Sequence, residues 1–245
     1  MRIAKALALL GIASRRQAEK MVLHGRVVIN GDVVLTPVFF VYEDDSIRVD
    51  GKDIVKTPTV ARIWKFFKPI CVITSTVDEQ NRQTIFDFLP KSMGRVMTVG
   101  RLDYKTEGLL LLTNKGYIAR HLELPKHEYE RRYLCRFYGK VPRSITSDLD
   151  AGICIDGIQY KKIKISIKES KGSNHWAEVV LLEGKNREIR RIFTHYGLQV
   201  SRLIRVNYGP YALGDMKSGC LEESEISINQ ISDEPKNELS KRDVV

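Results

Sequence analysis

Gly100-Arg101-Leu102-Asp103-Tyr104-Lys105-Thr106-Glu107-Gly108-Leu109-Leu110-Leu111-Leu112-Thr113-Asn114 is the stretch on which the reading of the whole chain turns. It follows Val96 to Val99, which reads as a short strand. It runs into Leu109 to Thr113, an apolar run of a length that suits a strand buried on both faces. A polar loop is thus mounted between two rigid elements, an arrangement in which loops often carry sites. Glycines at both ends permit tight turns, and Arg101 and Lys105 surround Asp103 with positive charge. Taken alone, an aspartate on a loop is more often a turn or helix cap than a catalyst.

Outward from that loop, Arg62 to Phe67, Tyr133 to Tyr138, Ile163 to Ile167 and Ala177 to Leu182 also read as strands. Two helices are well signalled here: Tyr117 to Leu124 after the Asn114-Lys115-Gly116 turn, and Arg187 to Tyr196 between Asn186 as N-cap and Gly197 as stop. With so few helices between the strands, the fold class is α+β rather than a doubly wound sheet. Upstream, Ser14 and Gln17 fit a capping box, and Ala18, Met21 and Val22 follow at helical spacing. A helix is expected from Arg15 to His24, with Gly25 as its stop. Asn30-Gly31 between Arg26 to Asn30 and Val33 to Thr36 signals a hairpin, because both residues tolerate positive φ. Residues 1–59 therefore read as a small domain of two short helices and a sheet, closed by the linker Lys56-Thr57-Pro58-Thr59. Residues 60–230 form the main domain. Beyond about Ile228 apolar periodicity ends, and residues 231–245 are expected to be a disordered tail.

Composition sets the class of partner. Forty basic residues against thirty acidic ones give a net charge of +10 and a pI near 9.4. Leu221 to Val245 holds seven acidic and three basic residues, so the chain before it carries +14. A surplus of that size concentrates polyanions at the surface, either nucleic acid or acidic membrane. No apolar run reaches the roughly 18 residues a membrane helix needs. The opening stretch Ile3 to Leu10 is interrupted by Lys5, and no cleavage pattern follows it. Cys71, Cys135, Cys154 and Cys220 are widely separated, with no C-x-x-C pair and no histidine spacing suited to zinc. They read as reduced thiols of a cytoplasmic protein without a metal site. No long apolar seam is visible, so a monomer is expected.

Arg15, Arg16 and Lys20 on the first capped helix, with Arg26 at the head of the next strand, place four cations at one helix–turn–strand corner. Such a corner binds phosphates without reading sequence, although a solvated helix face looks the same by charge alone. The strings Leu10-Gly11-Ile12-Ala13-Ser14-Arg15-Arg16-Gln17-Ala18-Glu19 and Gly25-Arg26-Val27-Val28-Ile29-Asn30-Gly31 resemble the S4 RNA-binding domain. That resemblance implies contacts with structured ribosomal RNA from these four residues.

The central string, G-R-L-D-x-x-T-x-G-L-L-L-L-T-N, resembles the main motif of pseudouridine synthases of the RsuA/RluB branch. The resemblance implies an S4-like domain followed by a catalytic domain with a large mixed, mainly antiparallel sheet flanked by helices. It implies that Asp103 is the essential carboxylate, attacking or otherwise engaging a uridine in ribosomal RNA, free or in an assembling subunit. The glycosidic bond then breaks and the base reattaches through carbon, with no metal or organic cofactor. The target base must leave its stack, a task that calls for cations and aromatic rings around the carboxylate. The resemblance gives Arg101 the space vacated by the flipped nucleotide. Lys105 is the second cation beside Asp103.

Two further segments supply partners for Asp103. In Glu130-Arg131-Arg132-Tyr133-Leu134 a tyrosine enters a strand behind two arginines, suited either to stacking a base or to packing the core. The resemblance assigns Tyr133 to stacking and proton transfer, with Tyr129 as its rival. In Gly184-Lys185-Asn186-Arg187-Glu188-Ile189-Arg190-Arg191-Ile192-Phe193, helical geometry sets Ile189, Ile192, Phe193 and Tyr196 opposite Arg187, Arg190 and Arg191. A solvated face explains that pattern equally well. The resemblance pairs Arg190 with the catalytic aspartate, makes Lys185, Arg187 and Arg191 RNA contacts, and places Ile189 against the active-site floor.

Leu198 to Pro210 is most similar to the RluB-like members, which act on the large subunit. Departures from the pattern are Cys71, where Lys68-Pro69-Ile70-Cys71 replaces K-P-x-G, and Lys115, where an acidic residue is common. A non-catalytic S4 factor that binds ribosomal RNA is the main alternative. A carboxylate hydrolase is a second, with Glu107 as its other acid.

Overall fold

Asn30 and Gly31 adopt φ of 53° and 95° and close a two-residue hairpin in which Val28 faces Val33 and Ile29 faces Asp32. The computed structural model describes residues 1–55, 60–76 and 78–227. The expected linker Lys56–Thr59 and the tail after Ser227 lie outside those residues. The chain divides into two compact units, one built mainly from residues 1–61 and one beginning at Arg62.

In the first unit, α1 (Ile3–Leu9) and α2 (Arg15–Leu23) precede a four-stranded sheet. Its strands are β1 (Val27–Ile29), β2 (Asp32–Val33), β3 (Ile47–Val49) and β4 (Lys52–Asp53), ordered β2-β1-β3-β4. The capping box forms as expected: Ser14 Oγ accepts from the Gln17 amide at 3.2 Å and Gln17 Oε1 from the Ser14 amide at 3.1 Å. Ala18, Met21 and Val22 turn inward against Leu7, Val27 and Ile47.

The second unit is a large mixed sheet flanked by helices. Its strands are β5 (Ile63–Lys68), β6 (Met97–Val99), β7 (Glu107–Thr113), β8 (Arg131–Tyr138), the small hairpin β9 (Cys154–Ile155) and β10 (Ile158–Gln159), β11 (Ile163–Lys171), β12 (Asn174–Leu181), β13 (Gln199–Tyr208), β14 (Tyr211–Ala212) and β15 (Leu221–Ser224). The main path runs β11-β12-β8-β13-β7-β5-β15, with β6 on β7 and β14 on β13. Every pairing in it is antiparallel except β7 with β13. At that parallel contact a Cβ on Gly108 would lie 2.3 Å from the Arg205 carbonyl oxygen, so only glycine lets the two backbones meet. All of β7 is buried, as its unbroken apolar run requires. The helices are α3 (Gly116–Glu123), α4 (Ile145–Ala151) and α5 (Glu188–His195). α4 packs on β11 and α5 on β13, and Ile189, Ile192 and Phe193 join Tyr133, Cys135 and Phe137 in the core.

The structure departs from the sequence reading at several elements. Asn186 is not the N-cap of α5: Arg187 occupies that position with φ 50°, and the helix starts at Glu188. β13 and α4 had no expected counterpart. The head of the acidic segment, Leu221–Ser224, forms strand β15, whose Glu222 pairs with Lys65 of β5 and whose Glu223 pairs with Arg62 just before that strand.

Candidate active site

The Asp103 loop, β8, the end of β12, the turn into α5, and β13 surround one cavity of about 690 Å³. Asp103, Tyr133, Arg190, Arg101, Lys185, Arg187 and Ile189 line it together. Lys105 and Arg191 are exposed and are not among its lining residues. Tyr129 is not among them either: its hydroxyl meets His121 Nε2 at 3.1 Å, and its ring lies where a side chain on Gly209 would fall.

Backbone bonds clamp the loop on both sides of Asp103. Thr74 Oγ1 donates to the Leu102 carbonyl at 2.9 Å, and the Gly100 amide donates to Glu123 Oε1 at 2.6 Å. The Thr106 amide donates to the Asp103 carbonyl at 2.9 Å, and the Cys71 amide to that of Tyr104 at 2.8 Å. Beneath, the fully buried Lys68 ammonium donates to the carbonyls of Pro69 and Thr106, both at 2.8 Å. Burial pulls its pKa down to about 8, an effect that Cys71, Asp103 and Glu107 partly oppose. Cys71 takes φ 61°, so it holds the left-handed conformation that a glycine would adopt there without strain.

Among the described residues, the Asp103 carboxylate makes no hydrogen bond and no ion pair. The other three carboxylates on the cavity wall are engaged. Glu123 accepts from Gly100. Glu183 accepts from the Lys161 amide at 2.8 Å and pairs with the Lys185 ammonium. Glu188 accepts from the Lys185 amide at 2.8 Å. Tyr133 is buried on the core face of β8, opposite Val179 and Arg205, and its hydroxyl also forms no hydrogen bond among the described residues.

Arg190 does not pair with Asp103 as the resemblance implied. Its Nη2 donates to the Lys105 carbonyl at 2.6 Å and its Nη1 to that of Val200 at 3.0 Å, while Nε is buried without a partner. From α5 the guanidinium is drawn instead to the backbone of the loop and of β13, whose two carbonyls take its Nη groups. Burial and then Arg187 lower the Arg190 pKa from its ordinary value, against the opposing pull of Cys135 and Asp103.

Arg131, Arg205 and Tyr208 complete the wall, and the sequence reading missed them as a group. Both guanidiniums lie over the Tyr208 ring, at 4.6 and 4.9 Å from its centroid. Arg131 Nη2 donates to the Tyr208 hydroxyl at 2.8 Å, and Arg205 Nε to the Leu109 carbonyl at 2.7 Å. The one signal available was two arginines in otherwise strand-like segments. Glu107 lies elsewhere, bound at two points by Arg202, the shorter contact 2.6 Å.

In the first unit Arg15, Arg16 and Lys20 are exposed on α2. Arg26 is held by Asp50 at 2.7 and 2.6 Å, so its charge is already compensated. Lys20 and Arg26 also rim a groove of about 790 Å³ floored by Met21, Val49 and Ile54.

The chain matches the family model described as RNA pseudouridylate synthase over residues 62–195, and that of the S4 domain over residues 1–47. It is 43% identical over 222 residues to an uncharacterized RNA pseudouridine synthase of Rickettsia felis, covering 91% of this chain and 96% of that one. It is 42% identical over 219 residues to ribosomal large subunit pseudouridine synthase B of Salmonella typhimurium, covering 86% and 75%. A solved crystal structure of a pseudouridylate synthase shares the fold with a TM-score of 0.64 at 24% identity, covering 92% of this chain and 96% of that one. With a family model spanning more than half its length and relatives above 40% identity along most of theirs, the chain belongs to the RNA pseudouridylate synthases, isomerases that act on RNA, and carries an S4 domain ahead of its catalytic fold.

Proposed function

We propose that this enzyme isomerises a specific uridine of large-subunit ribosomal RNA, free or within an assembling subunit, with Asp103 as the reacting carboxylate. The observation that carries the reading is that Asp103 is the one carboxylate on the cavity wall without a partner among the described residues. In the reaction the bond between uracil N1 and the ribose breaks and a bond from C5 to the ribose forms. The C5 proton leaves and N1 gains one. The exchange is redox-neutral and balances without a cofactor. A carboxylate with free lone pairs can attack or otherwise engage the uridine while the base turns over.

Tyr133 offers a ring face for the flipped base and a hydroxyl for proton transfer, and Ile189 an apolar floor. Arg190 steadies the loop that carries Asp103. Arg101, exposed at the rim, fills the gap that the base leaves in the RNA. Lys185 and Arg187 contact phosphates from the cavity rim, Lys105 and Arg191 from outside it, and Arg15, Arg16, Lys20 and Arg26 contact structured RNA from the S4 domain. A monomer is the working unit of this reading. The relative from Salmonella, named for the large ribosomal subunit, supports the choice of RNA, and that substrate supports a cytoplasmic location.

Binding ribosomal RNA without modifying it would leave the free Asp103 and the cavity around it without a role. A hydrolase with Glu107 as its second acid is disfavoured by the Arg202 clamp. The test is carbodiimide mapping of pseudouridine on ribosomal RNA incubated with the wild-type enzyme and with Asp103→Asn. A primer-extension stop that only the wild type produces is expected and identifies the uridine. Tight binding with no stop, on free RNA and on assembling subunits alike, would favour the non-catalytic factor.

A further inference from the structure

Glu188 is buried at the first position of α5, on the wall of the cavity. Its Oε2 accepts from the Lys185 amide at 2.8 Å, and its own amide donates back to the Lys185 carbonyl at 3.3 Å. These reciprocal bonds close a ring around Lys185, Asn186 and Arg187, all three of which line the cavity, and set the start of the helix that delivers Ile189 and Arg190. The second oxygen, Oε1, is buried with no hydrogen-bond partner. The charged groups around the carboxyl are Arg131 from β8 and Glu183 and Lys185 from the segment between β12 and α5. Glu183 is already engaged by Lys185 and the Lys161 amide, and Arg131 by Tyr208, so neither cation is dedicated to Glu188.

We propose that Glu188 is a positioning residue that seats the 185–187 loop and, by holding or releasing its proton, sets the charge that this wall presents to RNA phosphate. Resting on the reading of the cavity as the RNA site, the inference adds a titrating group to it. Burial is the largest influence on the carboxyl and pushes its pKa up to about 7, with Glu183 adding to the rise and the Lys185 amide, Lys185 and Arg131 opposing it. Below that pH the carboxyl is neutral, still accepts from the Lys185 amide, and leaves the positive charge of Arg187 and Arg101 undiminished. Above it, a negative charge joins the wall and opposes phosphate.

The experiment measures tritium release from an in vitro transcript of large-subunit ribosomal RNA labelled at uridine C5, between pH 6 and 8.5. Wild type, Glu188→Gln, Glu188→Ala and Asp103→Asn are compared. The wild-type KM is expected to rise several-fold across about pH 7 while kcat follows its own profile. Glu188→Gln keeps an oxygen acceptor for Lys185 but cannot ionise, so its KM stays flat and low. Glu188→Ala loses the seat and drops kcat at least ten-fold. A KM profile for Glu188→Gln that coincides with wild type overturns the proposal, as does a Glu188→Ala enzyme with unchanged kcat. Release by Asp103→Asn would instead overturn the role given to Asp103 and leave the Glu188 comparison readable.

Discussion

Arg190 Nη2 lies 2.6 Å from the carbonyl oxygen of Lys105, two residues beyond Asp103, so α5 braces the carboxylate through the loop backbone rather than by an ion pair. Lysine cannot reach the carbonyls of Lys105 and Val200 at once. Arg190→Lys is therefore expected to lower kcat by about ten- to a hundred-fold, in line with about 1.5–3 kcal/mol for a charge-assisted hydrogen bond. Single-turnover kinetics on ribosomal RNA, with a melting curve to show that the fold persists, would check this. An unchanged rate would mean that the brace is dispensable.

Cys71 carries a left-handed backbone whose amide supports the Tyr104 carbonyl beside Asp103. Replacing it with glycine removes the Cβ conflict and is expected to stabilise the enzyme by about 1 kcal/mol, seen as a rise in denaturation midpoint. A fall in stability would show that the thiol contributes more than the strain costs.

Lys68 holds its proton only to about pH 8 when folded, against 10.5 for the ordinary side chain. Between those values the unfolded chain binds more protons than the folded one, so folding stability gains from rising pH in that window. Below pH 8 the full cost of burying the ammonium is present. In Lys68→Met that gain is expected to vanish, so the stability difference between variant and wild type should change across pH 8 to 10.5 and stay level from pH 6 to 7.5. Urea denaturation at stepped pH measures it.

On the S4 domain, Arg15 and Arg16 are exposed with no ion pair among the described residues, whereas Arg26 is neutralised by Asp50. Arg15→Ala and Arg16→Ala are each expected to reduce the slope of log K against log salt for RNA binding by just under one. Arg26→Ala should reduce it by clearly less. Equal reductions from all three would show that RNA displaces Asp50.

Local chemistry made much of this legible in the sequence. Asn30-Gly31, the Ser14–Gln17 cap and the buried run Leu109 to Thr113 each specify their conformation within a few residues, and all three form. The Asp103 loop was legible for the same reason. β13 was not, because Arg205 occupies a core-facing position and interrupts the apolar alternation that marks a strand. The start of α5 was misplaced because Arg187 takes φ 50° and becomes the N-cap itself, while Glu188 folds back onto the Lys185 amide, a reversal that no local cap signal announces. β15 could not be read locally: its glutamates find their basic partners on β5 and just ahead of it, with 161 positions separating Glu223 from Arg62.

Gly108 sits where two otherwise antiparallel blocks, β6-β7-β5-β15 and β11-β12-β8-β13, are joined by the short parallel pairing of Glu107 and Gly108 with Ile204 and Arg205. Asp103 belongs to the first block, and Tyr133 and Arg205 to the second. Apart from β15, which reaches β5 from still farther along the chain, each block gains its strands from shorter-range pairings, but the cavity exists only once this seam, bridging nearly a hundred residues of chain, has closed. During refolding, recovery of the isomerase should therefore trail recovery of sheet structure, and a nascent chain stays inert toward RNA chemistry until β13 has been made.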